Sequence, residues 1–477
     1  MTKFVLLLFL IMSCLAKGQA PKPTRPNIIF ILADDLGFGD IGVNGQNLIK
    51  TPVINRMAAE GIQFRQFYAG TTVCAPSRSS LMSGLHTGHT YIRGNKEALP
   101  EGQQPIADSV VTVAELLKQA GYTTAAFGKW GLGPVGSEGD PNKQGFDRFY
   151  GYNCQSLAHR YYPDHLWDNE KKVVLPANKN LTQTNEFGPD LIQKQALNFL
   201  DTRKSKQPFF LFLPYTLPHA ELVPPTDSLF AYYKGKFAET PYMGANYGAN
   251  AKTGGYASQG YPHAAYAALV SRLDSYVGQI LAKLKANGLD KNTLVIFTSD
   301  NGPHREGGGD PAFFNSSGGF RGIKRDLYEG GIHVPFIARW PGVIKPGTQS
   351  DFIGAFWDLL PTFTELAGAK TPTRLDGLSF VPALTGKGTQ NQHDYLYWEF
   401  HEQGGRQAVR QGNWKAVRLQ AMSDPNGPVE LYDLSKDPAE THDIAAKNQD
   451  KVKQLSQFMN QSHVESPLFP FSKREKQ

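Results

Sequence analysis

Short apolar runs alternate with stretches of helical periodicity along most of the chain. Several runs have the length and the β-branched or aromatic content of buried strands: PNIIFILADD, TTAAFGKWGLG, PFFLFLPYTLPH and TLVIFTSDNG. Residues 263–288 instead repeat apolar positions every three or four residues, which predicts an amphipathic helix. Buried strands that alternate with helices predict an α/β fold.

Two further helices have clear boundary signals. In VVTVAELLKQAGY, Thr112 suits the N-cap of a helix and Gly121 suits its end. Pro76 suits the first turn of another helix, so we expect Cys74 at a helix N-terminus, where backbone amides favour negative charge. The stretch 235–262 is rich in Gly, Tyr and Ala and predicts a long surface loop.

The pattern changes beyond about Asp376. There YLYWEF, QAVRQGNWKAVRL and VELYDL predict antiparallel strands, and the stretch 447–461 predicts a helix. We therefore expect a large N-terminal domain over residues 26–375 and a smaller C-terminal subdomain over residues 376–477.

The first twenty residues are typical of a signal peptide. Lys3 precedes FVLLLFLIMSCLA, which is too short to span a bilayer, and Gly18 and Ala20 suit the cleavage positions. Residues 1–20 therefore predict an exported protein, periplasmic or secreted, without stable membrane insertion. An alternative interpretation of IMSC makes Cys14 a lipoprotein acceptor site.

The composition is that of a folded globular protein. The 477 residues are 40% hydrophobic and 19% charged, and 49 basic residues against 43 acidic ones give a net charge of +6. This excess favours anionic ligands, but no block of Lys and Arg indicates nucleic-acid binding. After Cys14 only Cys74 and Cys154 remain, so a disulfide between these two is the alternative to free thiols.

Polar side chains follow the predicted strands at the points where they end. These side chains are Asp34 and Asp35, Lys129, His219, and Asp300 with Asn301. In an open α/β sheet, ligands bind at the carboxyl ends of the strands. We therefore expect these side chains to form one site.

The acids of this site indicate a metal. Asp34, Asp35, Asp300 and Asn301 are hard oxygen donors, which prefer Ca²⁺ or Mg²⁺. Neighbouring carboxylates raise each other's pKa unless a cation neutralises them. Asp35 alone could cap the next segment. A second set of oxygen donors at another strand end favours the metal site.

The cations and the cysteine indicate chemistry on an anion. Arg78, Lys129, His219 and Lys324 would converge on the same edge and hold a tetrahedral anion. A helix N-terminus stabilises a thiolate at Cys74, but a thiol beside a hard cation is chemically awkward. An oxygen nucleophile would fit this position better.

Cys74–Arg78, with the sequence CAPSR, continues to MSG at residues 82–84 and resembles the type I sulfatases of the alkaline phosphatase superfamily. LADDLGFGD, GKWGLG, TSDNGPH and GIKRDLYEGG follow in the family's order. The resemblance implies a large, mixed, mostly parallel sheet sandwiched by helices. It also implies that a maturation enzyme oxidises Cys74 to formylglycine, whose hydrate binds Ca²⁺, with Mg²⁺ the less favoured ion.

The resemblance further implies a role for each site residue. The modified Cys74 and the four oxygen donors would hold the metal, and one hydroxyl of the hydrate would attack sulfur. Arg78, Lys129 and Lys324 would hold sulfate oxygens, and His219 would protonate the departing alcohol. The covalent sulfate ester would then collapse by elimination.

One position departs from the family pattern. The family usually reads GKWHLG, and this chain has Gly131 in place of the histidine, which takes the proton in the elimination step. We predict that His159, in NCQSLAHRYYPDHLW, replaces it. The alternative is that His159 is a loop histidine with local hydrogen bonds.

The expected substrate is a sulfated glycan. An exported sulfatase with few cysteines is typical of bacterial degradation of polysaccharide or mucin, and we predict exo action on a galactose-type sugar. The predicted sugar contacts are Tyr161, His165, His304, Glu399 and His401, with Trp398 expected in the core. The alternative functions are a phosphodiesterase or phosphonate hydrolase, and a catalytically impaired sulfated-glycan-binding protein.

Overall fold

A computed structural model describes residues 25–98, 101–179, 182–203, 207–244 and 255–471. The predicted signal peptide and Cys14 lie outside the described residues. Within the described residues, no helix is long and apolar enough to cross a membrane.

The strands are numbered in chain order. They are β1 (Asn27–Asp34), β2 (Ile62–Phe64), β3 (Phe67–Tyr68), β4 (Thr123–Lys129), β5 (Arg148–Tyr152), β6 (His165–Asp168), β7 (Lys171–Val174), β8 (Asn178–Lys179), β9 (Gln183–Thr184), β10 (Phe209–Pro218), β11 (Thr293–Ser299), β12 (Phe336–Arg339), β13 (Thr348–Ser350), β14 (Gly354–Ala355), β15 (Leu396–Phe400), β16 (Arg406–Gln411), β17 (Trp414–Leu419) and β18 (Val429–Asp433).

The α-helices are numbered in the same way. They are α1 (Pro52–Ala59), α2 (Cys74–Ser83), α3 (Val113–Gln119), α4 (Gln155–Ala158), α5 (Gly188–Asp201), α6 (Ser228–Tyr233), α7 (Pro262–Ala286), α8 (Glu329–Ile332), α9 (Leu359–Ala367), α10 (Val381–Thr385) and α11 (Gln449–Ser462). Short 3₁₀ turns connect several of these elements.

The large sheet has ten strands in the order β13-β2-β12-β11-β1-β10-β4-β5-β6-β7. Its centre, β11-β1-β10-β4-β5, is parallel, and the remaining pairs are antiparallel except β13 with β2. The predicted α/β fold with a mixed, mostly parallel sheet is confirmed. All four predicted strands form, as β1, β4, β10 and β11.

Both faces of the central strands are buried. Along β1, Ile29 and Ile31 pack into one hydrophobic cluster, and Ile28 and Phe30 pack into another on the opposite face. The first cluster includes residues of α1, α5 and α7, and the second includes residues of α2, α3 and α9. This double burial explains why the strands appear as nearly continuous apolar runs in the sequence.

The predicted helix boundaries agree with the structure. The Thr112 side chain accepts a hydrogen bond from the Glu115 backbone at the start of α3, and the Glu115 side chain reciprocates. Cys74 is the first residue of α2, and residues 263–288 correspond to α7. The two cysteines Cys74 and Cys154 are free, so the disulfide alternative is wrong.

The C-terminal strands form a separate antiparallel sheet in the order β15-β16-β17-β18. QAVRQGNWKAVRL supplies a hairpin of two strands, β16 and β17, and α11 covers the predicted stretch 447–461. Trp398 is fully buried, as predicted. The division of the chain at residue 376 stays a prediction. In the predicted loop, a bridge joins Tyr242 and Gln259, and residues 245–254 lie outside the described ranges.

Candidate active site

The predicted polar residues meet at one edge of the sheet. β1 lies between β10 and β11, β10 pairs with β4, and all of these pairs are parallel, so their carboxyl ends coincide. This edge carries Asp34, Asp35, Lys129, His219, Asp300 and Asn301. Helix α2 starts beside it, and the Ser77 hydroxyl donates a hydrogen bond of 2.6 Å to the Asp300 carbonyl, which ties the helix to the end of β11.

Cys74 lies between a carboxylate and an ammonium group. Its Sγ is 3.3 Å from Asp34 Oδ1 and 3.4 Å from Lys129 Nζ, and the residue is 1% exposed. Burial raises the pKa of the Cys74 thiol well above its ordinary value, and the charge of Asp34 raises it further. This cysteine is therefore a protonated thiol at neutral pH.

Asp34 is surrounded by cations. Lys129 Nζ lies 2.7 Å from Asp34 Oδ2, and an Arg78 nitrogen lies 3.9 Å from the same oxygen. Burial alone would raise the pKa of Asp34, but the charge of Lys129 and of the other nearby cations holds it well below its usual range. Asp34 is therefore ionised.

Arg78 is used inside the protein. Its Nε and one terminal nitrogen lie 3.1 and 2.8 Å from Asp300 Oδ2, and its other terminal nitrogen contacts the Lys129 carbonyl. Burial and then the charge of Asp34 raise the pKa of Asp300, the charge of Arg78 lowers it, and the net result is a pKa of about 7. The guanidinium thus fixes the position of the Asp300 carboxylate.

Asp35 lies on the other side of the same cluster. Asn301 Nδ2 donates to Asp35 Oδ1 at 2.6 Å, and Lys324 Nζ donates to Asp35 Oδ2 at 2.8 Å. The backbone φ of Asp35 is +62°, a left-handed conformation that Asp tolerates better than most residues. This turn allows two successive carboxylates, Asp34 and Asp35, to contribute to one site.

The donor set fits a divalent cation. Ligand atoms of Asp34, Asp35, Cys74 and His219 all lie within 4.8 Å of one another and are buried. Asn301 Oδ1 is buried without a hydrogen-bond partner among the described residues, as expected of an oxygen that is a metal ligand. A hard cation would also relieve the repulsion that raises the pKa of Asp300.

His219 faces the site from the end of β10. Its Nε2 is 3.0 Å from Lys324 Nζ and 3.3 Å from Asp35 Oδ2, and its Nδ1 contacts the Ala220 carbonyl. Burial and the charge of Lys324 hold the pKa of His219 well below its ordinary value. Lys324 also contacts Glu306 Oε2 at 3.0 Å.

A pocket of about 280 Å³ opens above Cys74. Its lining residues are Cys74, Asn95, Lys96, Glu97, Gln103, Gln155, His159, His219, Tyr256, Glu306, Lys324, Arg325 and Glu402. No signal in the sequence indicates the other polar residues of the lining, such as Gln103 and Glu306, because they lie in segments without a periodic pattern. His159, which we did predict from the sequence, lies at the pocket with its ring 4.8 Å from that of His219.

The predicted sugar contacts do not line this pocket. Tyr161 is buried, and its hydroxyl donates to the His219 carbonyl at 2.6 Å. His165 lies 2.8 Å from Glu101. His304 stacks behind His219, with ring centroids 5.4 Å apart. Tyr161 and His304 therefore support His219 and do not face the pocket.

The prediction that Glu399 and His401 contact the sugar is wrong. Glu399 is fully buried, and its carboxylate lies 2.8 Å from His401, 2.8 Å from His463 and 3.1 Å from Arg93. A buried carboxylate requires such partners because desolvation is costly. We therefore assign Glu399 and His401 to the packing of the C-terminal sheet instead of sugar binding.

Comparison with known proteins identifies the family. The model of the sulfatase family matches residues 26–369. The chain belongs to the sulfatase family. As a sulfatase of the alkaline phosphatase superfamily, it is a sulfuric ester hydrolase. A second model, that of the C-terminal region of N-sulphoglucosamine sulphohydrolase, matches residues 319–465.

Relatives of this sulfatase include enzymes and solved structures. It is 32% identical to the N-acetylgalactosamine-6-sulfatase of Mus musculus over 439 residues, which cover 86% of this chain and 75% of the relative. It is 32% identical to arylsulfatase A of Homo sapiens over 465 residues, or 88% and 83% of the two chains. The structure of Ps i-CgsB in complex with k-i-k-neocarrahexaose superimposes with a TM-score of 0.75 at 27% identity, covering 92% of each chain.

Proposed function

We propose that this sulfatase removes sulfate from a sulfated carbohydrate after oxidation of Cys74 to formylglycine, with Ca²⁺ at the adjacent acids. The position of Cys74 Sγ carries the proposal, since this buried atom lies within 3.4 Å of both a carboxylate and an ammonium group. A maturation enzyme would have to carry out the oxidation. The family and its named relatives support hydrolysis of carbohydrate sulfate esters.

The thiol itself is a poor nucleophile in this position. Burial raises the pKa of Cys74, so thiolate chemistry is disfavoured. Formylglycine, once formed, would add water to give a hydrate, and one hydroxyl oxygen of this hydrate would be the nucleophile. Asp34 and Lys129 lie where such an oxygen would need a proton acceptor and a compensating positive charge.

The metal ligands in this proposal are Asp34, Asp35, Asp300, Asn301 and the modified Cys74. When bound, the ion supplies positive charge that orients the nucleophile and polarises a sulfate oxygen. The carboxylate and amide oxygens favour Ca²⁺ over Mg²⁺, which usually retains several waters. Arg78 acts through Asp300 as a positioning residue, because its nitrogens contact Asp300 and the Lys129 carbonyl.

Lys129 and Lys324 are the cations that we assign to the sulfate oxygens. Lys324 has a second role, because its ammonium group lies 3.0 Å from His219 Nε2. The anionic substrate would raise the pKa of the imidazole. His219 would then carry the proton that the leaving alcohol needs, with Lys324 donating to the ring once that proton has left.

The pocket supports action on one terminal sugar. Its volume of about 280 Å³ suits a single sulfated ring, and Cys74 is among its lining residues. The names of the relatives refer to N-acetylgalactosamine and to a neocarrahexaose, and they favour a galactose-type ring. The apolar N-terminal run is consistent with export to the periplasm or medium.

The test uses full-length enzyme co-produced with a formylglycine-generating enzyme. Mass analysis of the peptide that contains Cys74 should find the aldehyde, and the preparation should release sulfate from at least one member of a panel of monosulfated sugars. Full activity with an unaltered thiol would contradict the chemistry. Complete aldehyde with no release from any sulfated sugar would favour a binding protein, and faster hydrolysis of an aryl phosphate diester would favour a phosphodiesterase.

A further inference from the structure

Two glutamines form an uncharged part of the pocket wall beside Cys74. Gln103 and Gln155 both line the pocket and are 1% and 7% exposed. Gln103 Oε1 and Nε2 and Gln155 Nε2 are buried without a hydrogen-bond partner in the described ranges. We call this pair the amide wall. Buried polar groups are nearly always paired in native proteins, so these atoms call for a ligand.

Gly131 makes room for one of these amides. A Cβ atom built on Gly131 would lie 2.9 Å from Gln155 Nε2 and 3.8 Å from Arg78 Cδ. The φ of Gly131 is +75°, a conformation in which a side chain is also strained. Glycine at this position therefore leaves space for the Gln155 amide. Gln155 opens α4, the short helix that His159 follows.

The unpaired atoms define the chemistry of the ligand. A sulfate group only accepts hydrogen bonds, so it cannot satisfy Gln103 Oε1, which is an acceptor. A hydroxyl group both donates and accepts, and it matches an amide that has both atoms unpaired. The terminal torsion of a glutamine is broad, so each amide can turn toward an arriving hydroxyl at small cost.

The pocket has a charged part and an uncharged part, which suit different groups of a ligand. Lys324, Glu306 and Arg325 bring charge to the pocket, whereas the amide wall has none. We propose that Gln103 and Gln155 recognise hydroxyl groups of the sugar ring that carries the sulfate, and so determine which sugar is hydrolysed. This inference rests on the proposed function and adds its recognition residues.

The experiment compares Gln103→Leu and Gln155→Leu with Gln104→Leu as a matched control. Gln104 lies outside the pocket lining, and its Nε2 contacts the Pro105 carbonyl. The substrates are the sulfated monosaccharide that the matured wild type hydrolyses fastest and its monodeoxy analogues. Circular dichroism melting checks that each variant folds.

We expect about a tenfold or greater loss of kcat/KM on the parent sugar in each pocket variant, and none in the control. With the wild type, kcat/KM on at least one deoxy analogue should be lower than on the parent sugar by a similar factor. With one of the Leu variants, kcat/KM should be the same on that analogue and on the parent sugar. The proposal would be overturned if the Leu variants lost the same further factor of kcat/KM on every deoxy analogue. It would also be overturned if both Leu variants kept wild-type rates, because the partner of the amides would then be a bound water.

Failure of the proposed function has a different appearance. In that case the wild type itself would be inactive on every sulfated sugar despite the aldehyde at Cys74. The role that we assign to the amide wall would then also be wrong. A second pair of variants, Gln103→Asn and Gln155→Asn, distinguishes a loss of sugar contact from misfolding. These variants keep the amide but shorten its reach. They should melt as the wild type does and lose the same hydroxyl discrimination. Retained discrimination in a well-folded Asn variant would argue against direct contact.

Discussion

The imidazole rings of His159 and His219 lie parallel, with centroids 4.8 Å apart and an angle of 4° between their planes. His219 follows the central strand β10, whereas His159 follows the short helix α4. Burial holds the pKa of His159 well below its ordinary value, and the charges of His219 and Lys129 lower it further. A neutral imidazole at the pocket is therefore available to accept a proton.

The first prediction concerns His159 as the base of the second half-reaction. His159→Ala should lower steady-state kcat by about 100-fold or more, because general-base catalysis contributes a factor of this size. Rapid mixing should still find a burst of alcohol of about one equivalent per enzyme. Unchanged turnover would contradict the assignment.

His159→Phe is the matched control for ring stacking. Phenylalanine keeps an aromatic ring against His219 but cannot accept the proton. It should show the same burst and the same slow turnover as the alanine variant. If it restored wild-type turnover, His159 would support His219 by packing alone.

The second prediction concerns the buried ammonium of Lys129. Lys129→Met should lower kcat/KM by about 100-fold or more, because it removes a fixed positive charge next to the reacting atoms. Lys118→Met, which removes a half-exposed lysine paired with Asp147, should stay within about twofold of the wild type. Initial rates on a sulfated sugar give the comparison. If Lys129→Met changed kcat/KM only slightly, Lys129 would have no direct role in catalysis.

The third prediction concerns the metal. Removal of divalent ions with a chelator should lower the melting temperature and abolish activity, and Ca²⁺ should restore both. An ion at 100 times its Kd stabilises the native state by about 2.7 kcal/mol. Asp35→Asn and Asn301→Ala should lose most of the calcium-dependent change in melting temperature, whereas Asp108→Asn, at an exposed position, should keep it. A calcium-dependent change that persists in Asn301→Ala would place the ion elsewhere.

The fourth prediction uses a buried carboxylate away from the pocket. Glu440 lies 3.0 Å from Lys415, and burial raises its pKa from 4.5 to about 7, with the charge of Lys415 opposing this increase and that of Glu329 adding to it. Because the folded pKa is the higher one, the stability from Glu440 is complete below about pH 4.5 and is lost as pH rises through about 7.

Glu440→Gln should therefore gain stability relative to the wild type as pH increases from 5 to 8. The gain has an upper limit of about 3 kcal/mol, because each pH unit that separates the folded pKa from the unfolded one corresponds to about 1.36 kcal/mol. Melting temperatures across this range measure it. Glu365→Gln, at an exposed position on α9, should show no such trend, and a flat difference for Glu440→Gln would contradict the prediction.

The sequence was informative wherever the chemistry lies at the end of a regular element. Asp34, Lys129 and His219 each follow an apolar run, and parallel strands place their carboxyl ends together. Pro76 and Gly84 bound a helix, so the position of Cys74 at its start could also be predicted. Periodicity and end signals are local, and local signals survive in a single sequence.

The walls of the pocket could not be predicted in this way. Glu306, Gln103 and Gln155 lie in loops or at a short helix, and nothing near them in the chain indicates that they face Cys74. Conversely, Glu399 occurs in a strand rich in aromatic residues that resembles a sugar-binding surface. The structure instead buries its carboxylate against Arg93, which is 306 residues away in the chain.

The pattern of residues along the chain is enough to predict the α/β architecture, the edge of the sheet that carries the acids and cations, and the resemblance to sulfatases through CAPSR. Three features depend on the folded chain. They are the unpaired polar side chains at the pocket among the described residues, the contact of Arg78 with Asp300, and the stacking of His159 on His219. Hydrophobic periodicity reports which face of an element is buried. It carries no information about which distant loops meet over that face, because those contacts depend on the packing of the whole chain.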